Sequence, residues 1–253
     1  MHMYFVGKYT RLLLVSYCDK RLDLYHCFTC RSYGVISKRH DVIRDVLAEY
    51  AVRVGFCGEG VTGRGTMGVI REVNLGFGDS RRMDIECAEW REGGCGQRRV
   101  QGIDVTICYP LAKTFLNRWA DLPPLGGPAR DSAQKKRSRY TVYTEGRQDH
   151  RFTPATMEAY GRLGEDTRRL AEDMARSTYV QGEWADARGL EARAAVGMFK
   201  ARIMQAVSVR LMQLTANACI LHRVRGAMSH LALSTRAQAA AGISATGTAS
   251  RAQ

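Results

Sequence analysis

The stretch RRMDIECAEWREGGCGQRRVQGIDVTIC (81–108) decides the fold. Its second half, Val100–Cys108, alternates apolar and polar residues, and this period of two is typical of a strand with one buried face. Met83–Glu89 predicts a second strand, and a Gly-Gly pair between the two halves predicts a turn. The stretch therefore predicts a hairpin that carries one aspartate on each arm, Asp84 and Asp104.

Periodicity and punctuating residues predict the elements on either side of this hairpin. Upstream we expect a helix over 37–54, a glycine-rich loop over 55–68 and a short strand at Val69–Val73. Downstream we expect a short helix at Leu111–Trp119, a basic helix at Ser132–Tyr143, a strand at Phe152–Tyr160, and helices over 165–180 and 184–226 with a weak point at Gly189 or Gly197. The pattern indicates an α/β protein with a C-terminal helical extension.

Composition points to a polyanionic partner. The chain has 253 residues with 38 Lys+Arg against 25 Asp+Glu, a formal net charge of +13. Arginine dominates the excess, and its planar fork binds phosphate in two places. An arginine-rich composition inherited from a GC-rich gene is the alternative. No segment is long and apolar enough to predict a signal peptide or a membrane span.

Eight cysteines are scattered along the chain, and this pattern predicts free thiols in a reducing, intracellular compartment, with a nuclear location expected. Cys27, Cys30 and His40 have the beginning of a zinc-knuckle spacing. A structural zinc site needs four ligands, and Asp45 is a poor fourth, so zinc is not expected. Otherwise the two cysteines pack as small apolar residues and His40 docks the first helix.

The two hairpin aspartates could hold a divalent cation. Mg²⁺ prefers hard oxygen ligands, commonly one or two carboxylates completed by water and phosphate. Such a cation polarises a phosphodiester and lowers the pKa of an attacking water. Asp84 and Asp104 on adjacent arms can meet at one ion, and their apolar neighbours would make burial costly without a partner. Alternatively both lie on a solvated face. Asp41 and Asp45 could also face this site from the first helix.

The basic helix could supply a third element. Lys136, Arg139 and Tyr140 share one helical face. A lysine beside a metal can orient or deprotonate the attacking water and offset charge on the phosphate. A solvated helix that attracts DNA in general is the alternative.

The ordered motifs RHDVIRD (39–45), RRMDI (81–85), GIDVTI (102–107) and KKRSRY (135–140) resemble the restriction-like endonuclease domain of non-LTR retrotransposons. The resemblance extends upstream to HCFTCRSYGVISKRHD (26–41). Downstream it includes FTPATMEAYGRLG (152–164), ARIMQ (201–205) and TANACI (215–220), so that it covers about residues 24–225. No single motif is specific, whereas the series in this order is.

The resemblance implies a PD-(D/E)XK nuclease core, a mixed sheet flanked by helices that nicks DNA with Mg²⁺, or with Mn²⁺ in its place. Carried over by position, Asp84 and Asp104 are the two acidic ligands and Lys136 is the catalytic lysine. That lysine lies in a helix in these elements, in agreement with Thr106 at the strand position where other PD-(D/E)XK enzymes have it. Glu158 matches an acidic residue of the family without an evident role.

The resemblance also implies partners and boundaries. DNA would be held mainly through its phosphates, with RNA of the parent element as a further partner and the oligomeric state open. The residues expected to contact DNA are Arg39, Arg82, Lys135, Arg139 and Tyr140. The expected division is a Cys-rich remnant over 1–36, the nuclease core over 37–162, a helical extension over 163–228 and a disordered tail over 229–253.

The chain departs from the family in three respects. Met83 stands where proline or alanine usually precedes the first aspartate, Lys135 could replace Lys136 if the register differs by one, and no polymerase-like YxDD motif is present. A catalytically inactive nucleic-acid-binding remnant is therefore the competing hypothesis. A relic that folds poorly is a third.

Overall fold

The computed structural model describes residues 35–54, 69–74, 82–89, 99–118, 124–147 and 150–249. The chain divides into two compact units, one of residues 34–214 and one of residues 1–33 with 215–253. All four strands of the described residues belong to the unit 34–214.

A four-stranded mixed sheet forms the centre of this unit. Its strands lie in chain order: β1 (Val69–Asn74), β2 (Arg82–Glu89), β3 (Arg99–Cys108) and β4 (His150–Glu158). β1, β2 and β3 pair antiparallel, whereas β4 runs parallel to β3 along its whole length. The α/β class and the hairpin with one aspartate on each arm are confirmed.

Seven helices are described along the ranges given above. They are α1 (Val35–Arg53), α2 (Lys113–Leu116), α3 (Gly127–Thr144), α4 (Glu165–Ala175), α5 (Thr178–Gln181), α6 (Glu183–Asp186) and α7 (Ala192–Ala249). The basic helix α3 begins five residues before the predicted Ser132, since Pro128 suits the first turn of a helix. None of these helices combines the length and apolarity that crossing a membrane requires.

The two faces of the sheet pack against different helices. Ile103 and Val105 of β3 belong to the main core, together with buried residues of α1, α4 and α7. The residues that alternate with them on the strand point the other way: Gly102 lies against the ring of Tyr143, and Asp104 lies against Lys136, both on α3. Helix α3 therefore covers one face of β3, and the main core covers the other.

The main core extends across the predicted boundary between residues 162 and 163. Met174 of α4 and Ile203 and Leu211 of α7 are fully buried in the same cluster as Ile43 of α1 and Ile85 of β2. The predicted nuclease core and most of the helical extension are thus one packed unit. A core of this kind depends on contacts between residues more than 100 positions apart, which local periodicity does not reveal.

Helix α7 begins after one of the two predicted weak points. Gly189, with a φ of +61°, lies between α6 and α7, which confirms the predicted break at that position, whereas Gly197 lies inside α7. The predicted disordered tail 229–253 is instead helical as far as Ala249. This segment is rich in alanine, the residue of highest helix propensity, and contains no proline.

Gly102 offers a test of the packing between the sheet and α3. A Cβ at this position would lie 2.9 Å from the ring of Tyr143 and 3.0 Å from the end of Met83. We expect Gly102→Ala to lower the free energy of unfolding by about 1–3 kcal/mol through overpacking. Gly197→Ala is the matched control, because nothing lies within 4 Å of its Cβ position. In the interior of α7 it should stabilise the protein by about 0.5–1 kcal/mol. Urea denaturation of both variants measures the two changes in the free energy of unfolding. Changes of the same sign in both variants would contradict this packing.

Candidate metal centre

Asp84 and Asp104 lie where strands β2 and β3 separate. The pairing of these strands runs from Glu89 opposite Arg99 to Ile85 opposite Ile103, and it ends there. Asp84 and Asp104 occupy the next opposing positions. The backbone N–H of Val105 donates to Asp84 Oδ2 at 2.6 Å, so that a side chain replaces the ladder hydrogen bond. The end of the ladder opens the sheet at the two carboxylates.

His40 reaches this opening from α1. It precedes Ile43 by three residues and Leu47 by seven, so it shares the helical face that α1 packs against the sheet. Its Nε2 lies 2.9 Å from Asp84 Oδ2. One ligand atom from each of His40, Asp84 and Asp104 lies within 4.8 Å of the other two. The three side chains therefore converge as one candidate metal centre.

Lys136 reaches Asp104 from α3, on the other face of the sheet. Its Nζ donates to Asp104 Oδ2 at 2.7 Å and to Oδ1 at 3.0 Å. One turn further along, Tyr140 fixes the helix: its hydroxyl donates to the carbonyl of Arg82 at 2.8 Å, and its ring packs against Phe152 with centroids 4.8 Å apart. Lys136 rather than Lys135 thus faces the aspartates, and Lys135 is exposed.

The two aspartates differ in their affinity for a proton. Desolvation, reinforced by the neighbouring Asp84 carboxylate, raises the pKa of Asp104 to about 6 in spite of Lys136. Burial acts in the same direction on Asp84, but hydrogen bonds from His40, Asp104 and the Val105 N–H hold its pKa below the ordinary value. The hydrogen bond to Asp84 raises the pKa of His40 against the opposing effect of burial. Such a split is characteristic of acids that share one site.

Asp41 and Asp45, predicted as further residues that face the metal, do not belong to the converging set of ligand atoms. Asp41 Oδ1 is 3.4 Å from His40 Nδ1, where a carboxylate can orient the imidazole ring. Asp45 accepts hydrogen bonds from the guanidinium of Arg44. A step of one residue turns a side chain by about 100° around a helix, which places His40 rather than Asp41 toward the sheet.

Two of the predicted DNA contacts are buried. Arg39 is 4 % exposed on the inward face of α1, and Tyr140 is 4 % exposed in the cluster with Met83 and Tyr143. Neither side chain lies on a surface that DNA can reach, so these two predictions are wrong. Both side chains are buried because each shares a helical face with buried neighbours. Arg82 and Arg139 are exposed, as is Lys135.

The predicted zinc ligands are not brought together within the described residues. Cys27 and Cys30 lie outside them, and His40 faces Asp84. His40 is the member of the centre that sequence reasoning assigned elsewhere. Its spacing from Ile43 and Leu47 was the available signal, because it places the imidazole on the face of α1 that docks on the sheet.

Glu158 lies at the C-terminal end of β4, outside the candidate metal centre. Its Oε2 is 3.6 Å from Nε of Arg162, and its Oε1 is buried without a hydrogen-bond partner among the described residues. Burial raises the pKa of Glu158 against the opposing effects of Arg162 and of the backbone at Gly126. The structure therefore gives Glu158 an ion pair with Arg162 and no role as a ligand of the centre.

No protein-family model matches the sequence, and no curated protein matches it either. The interpretation of the centre therefore depends on its own geometry and chemistry.

Proposed function

We propose that the protein is a metal-dependent DNA endonuclease of the restriction-like type that nicks one strand. The observation that carries the proposal is the convergence of His40, Asp84 and Asp104 within 4.8 Å, with Lys136 bonded to Asp104. Hydrolysis of a phosphodiester by this route needs a cation held by hard ligands, a group that orients or deprotonates water, and positive charge near the phosphate. These residues offer all three.

The donor set fits a divalent cation. Two oxygens bound to one Mg²⁺ at about 2.1 Å lie at most about 4.2 Å apart, so small side-chain rotations would bring the three ligand atoms into range. Asp84 and Asp104 supply the hard oxygens. The imidazole of His40 adds a softer donor, which favours Mn²⁺ over Mg²⁺ as the tighter-binding ion. A bound cation would polarise the phosphate and activate a water molecule.

Lys136 would serve the reaction from beside the ligands. In the structure its ammonium compensates the charge of Asp104, which is 3 % exposed. A cation held by Asp104 would take over that compensation and leave the Lys136 amine close to the reacting phosphate. There it can hold the attacking water or offset charge on the phosphate. Its side chain is partly exposed, so the phosphate can approach it.

The second candidate function is a nucleic-acid-binding protein without cleavage activity. The observation that favours it is that the centre is electrically complete as it stands: His40 pairs with Asp84, and Lys136 pairs with Asp104. Attraction between opposite charges offsets part of the desolvation cost of burying them, so no metal ion is needed for this purpose. The arrangement would then serve to hold α1 and α3 to the sheet.

Nicking of supercoiled plasmid distinguishes the two functions. With Mg²⁺ or Mn²⁺ the wild-type protein should convert supercoiled DNA to the open circle, and EDTA should abolish the conversion. Calorimetric titration with Mn²⁺ in the absence of DNA should show one site per chain. A protein that binds DNA and neither takes up Mn²⁺ nor nicks is the result that supports the second function instead.

Lys136→Met separates catalysis from metal binding. The variant keeps most of the side chain's length and removes its charge, so we expect nicking to fall by about a hundred- to ten-thousand-fold. Mn²⁺ should bind at least as tightly as in the wild type, because a competing cation is removed from Asp104. Plasmid nicking and calorimetry on the same preparation measure both quantities. Lys135→Met, at the adjacent exposed position, is the control and should retain activity. Equal loss in both variants would contradict the assignment of Lys136.

A further inference from the structure

A basic cleft lies between α3, the end of β4 and the beginning of α4. It has a volume of about 560 Å³, and its lining includes five arginines against two carboxylates, a net charge of +3. The arginines are Arg130, Arg137, Arg162, Arg168 and Arg169. A concave wall of one sign concentrates the electrostatic potential and attracts anions.

The ion pairs around the cleft leave positive charge uncompensated. Glu165 is shared by Arg168 and Arg169, Arg137 pairs with Asp166, and Arg162 pairs with Glu158 beyond the lining. Arg130 is exposed and forms no ion pair within the described part of the chain. Since two of the cleft's arginines share one carboxylate and Arg130 has none, an incoming anion would find guanidinium groups available.

The floor of the cleft carries a polar group that lacks a partner. Thr156 is 1 % exposed, and its Oγ1 has no hydrogen-bond partner among the described residues. Gly164 lies directly beside it: a Cβ on Gly164 would stand 2.5 Å from Thr156 Oγ1. A Cβ on Gly164 would also stand 2.8 Å from the Thr156 carbonyl, so the glycine allows the chain to pass this close to the buried hydroxyl. Such a hydroxyl can donate to a phosphate oxygen.

The cleft lies close to the metal centre but is separate from it. Pro154 pairs with Asp104 across the parallel strands, and Thr156 follows two residues later on the same face. With strands about 4.8 Å apart and a rise of about 3.3 Å per residue, Thr156 and Asp104 are roughly 8 Å apart along the backbone. Helix α3 presents Lys136 to the centre and Arg137 to the cleft.

We propose that this cleft binds a backbone phosphate of a nucleic acid. Successive phosphates of one DNA strand advance by about 3.4 Å along the axis and lie farther apart through space, because the backbone winds around that axis. A separation of roughly 8 Å therefore places the bound phosphate next to the one at Asp104. The inference depends on the nucleic-acid partner of the proposed function but not on cleavage. The cleft positions the strand, and the metal centre acts on it.

Binding measured in EDTA tests the cleft independently of catalysis. The probe is a fluorescein-labelled 20-nucleotide DNA strand, followed by anisotropy at several salt concentrations. Arg130→Glu should weaken binding by roughly tenfold and lower the slope of log affinity against log salt by about 0.7, the contribution of one phosphate contact in single strands. Arg193→Glu is the control, since it makes the same charge change at an exposed position of α7 outside the cleft.

Thr156→Val is the second variant, because it preserves shape while removing the hydroxyl that has no internal partner. It should keep the wild-type melting temperature and weaken strand binding, whereas Thr156→Ser should bind like the wild type. Equal effects of Arg130→Glu and Arg193→Glu, or unchanged binding by Thr156→Val, would overturn the proposal. Binding of inorganic phosphate in the cleft that the DNA strand does not displace would also overturn the proposal. If the wild-type protein does not nick plasmid but the variants change strand binding as expected, the proposed metal centre is contradicted and the cleft is not.

Discussion

Asp104→Asn should abolish metal-dependent nicking while leaving the fold intact. The variant removes one of two carboxylate ligands at constant size, and the transition-state stabilisation that a cation supplies is several kcal/mol. At about 1.4 kcal/mol per factor of ten, the rate of plasmid nicking should fall by roughly a thousandfold or more. Calorimetry should show loss of the Mn²⁺ site. The melting temperature should change little, since burial already disfavours the charged form of Asp104.

Asp186→Asn is the matched control for this variant. Asp186 is exposed on α6 and forms no ion pair in the part of the chain that the structure describes. The control should nick plasmid and bind Mn²⁺ like the wild type. Full activity of Asp104→Asn would show that the nicking observed arises from another site or from a contaminant.

Ile203→Ala should produce a large loss of stability. Ile203 of α7 is 1 % exposed in the cluster that also contains Ile43 and Ile85. Truncation of a buried isoleucine to alanine costs about 2–5 kcal/mol through lost burial and a residual cavity. With about 2–4 °C per kcal/mol for a unit of this size, the melting temperature should fall by roughly 5–15 °C. Thermal denaturation followed by circular dichroism measures it.

Met198→Ala, one turn and a half before Ile203 on the same helix, is the control. Its side chain is 53 % exposed, so the melting temperature should change by only a degree or two. A chain ended at residue 162 should fail to fold, because it lacks the buried residues that α4 and α7 contribute. Independent folding of that shortened chain, or a negligible effect of Ile203→Ala, would contradict a single shared core.

The strands were predictable because their signals are local. Alternation along Val100–Cys108 identifies β3, and the glycine pair before it identifies a hairpin, so Asp84 and Asp104 could be placed on its two arms. The ordered motifs indicated Lys136 on a following helix, and the structure places Lys136 rather than Lys135 against Asp104. Period and order along the chain were sufficient for these features.

Burial and long-range contacts were harder to predict. Arg39 was expected at the DNA surface because of its charge, yet the helical face that it shares with Ile43 is buried. His40 was considered as a zinc ligand together with Cys27 and Cys30, because these three residues have the beginning of a zinc-knuckle spacing. Its contact with Asp84 depends instead on the angle at which α1 crosses the sheet. Such an angle follows from the packing of the whole core and not from spacing in the sequence.

The most direct test of the metal centre is an anomalous diffraction map from crystals grown with Mn²⁺. We expect one strong peak in contact with His40 Nε2 and with the carboxylates of Asp84 and Asp104, within about 2.5 Å of each ligand atom. The same peak should be absent in crystals of Asp104→Asn. A map in which His40 still pairs with Asp84 and Lys136 with Asp104 at saturating Mn²⁺, with no peak between them, would contradict it.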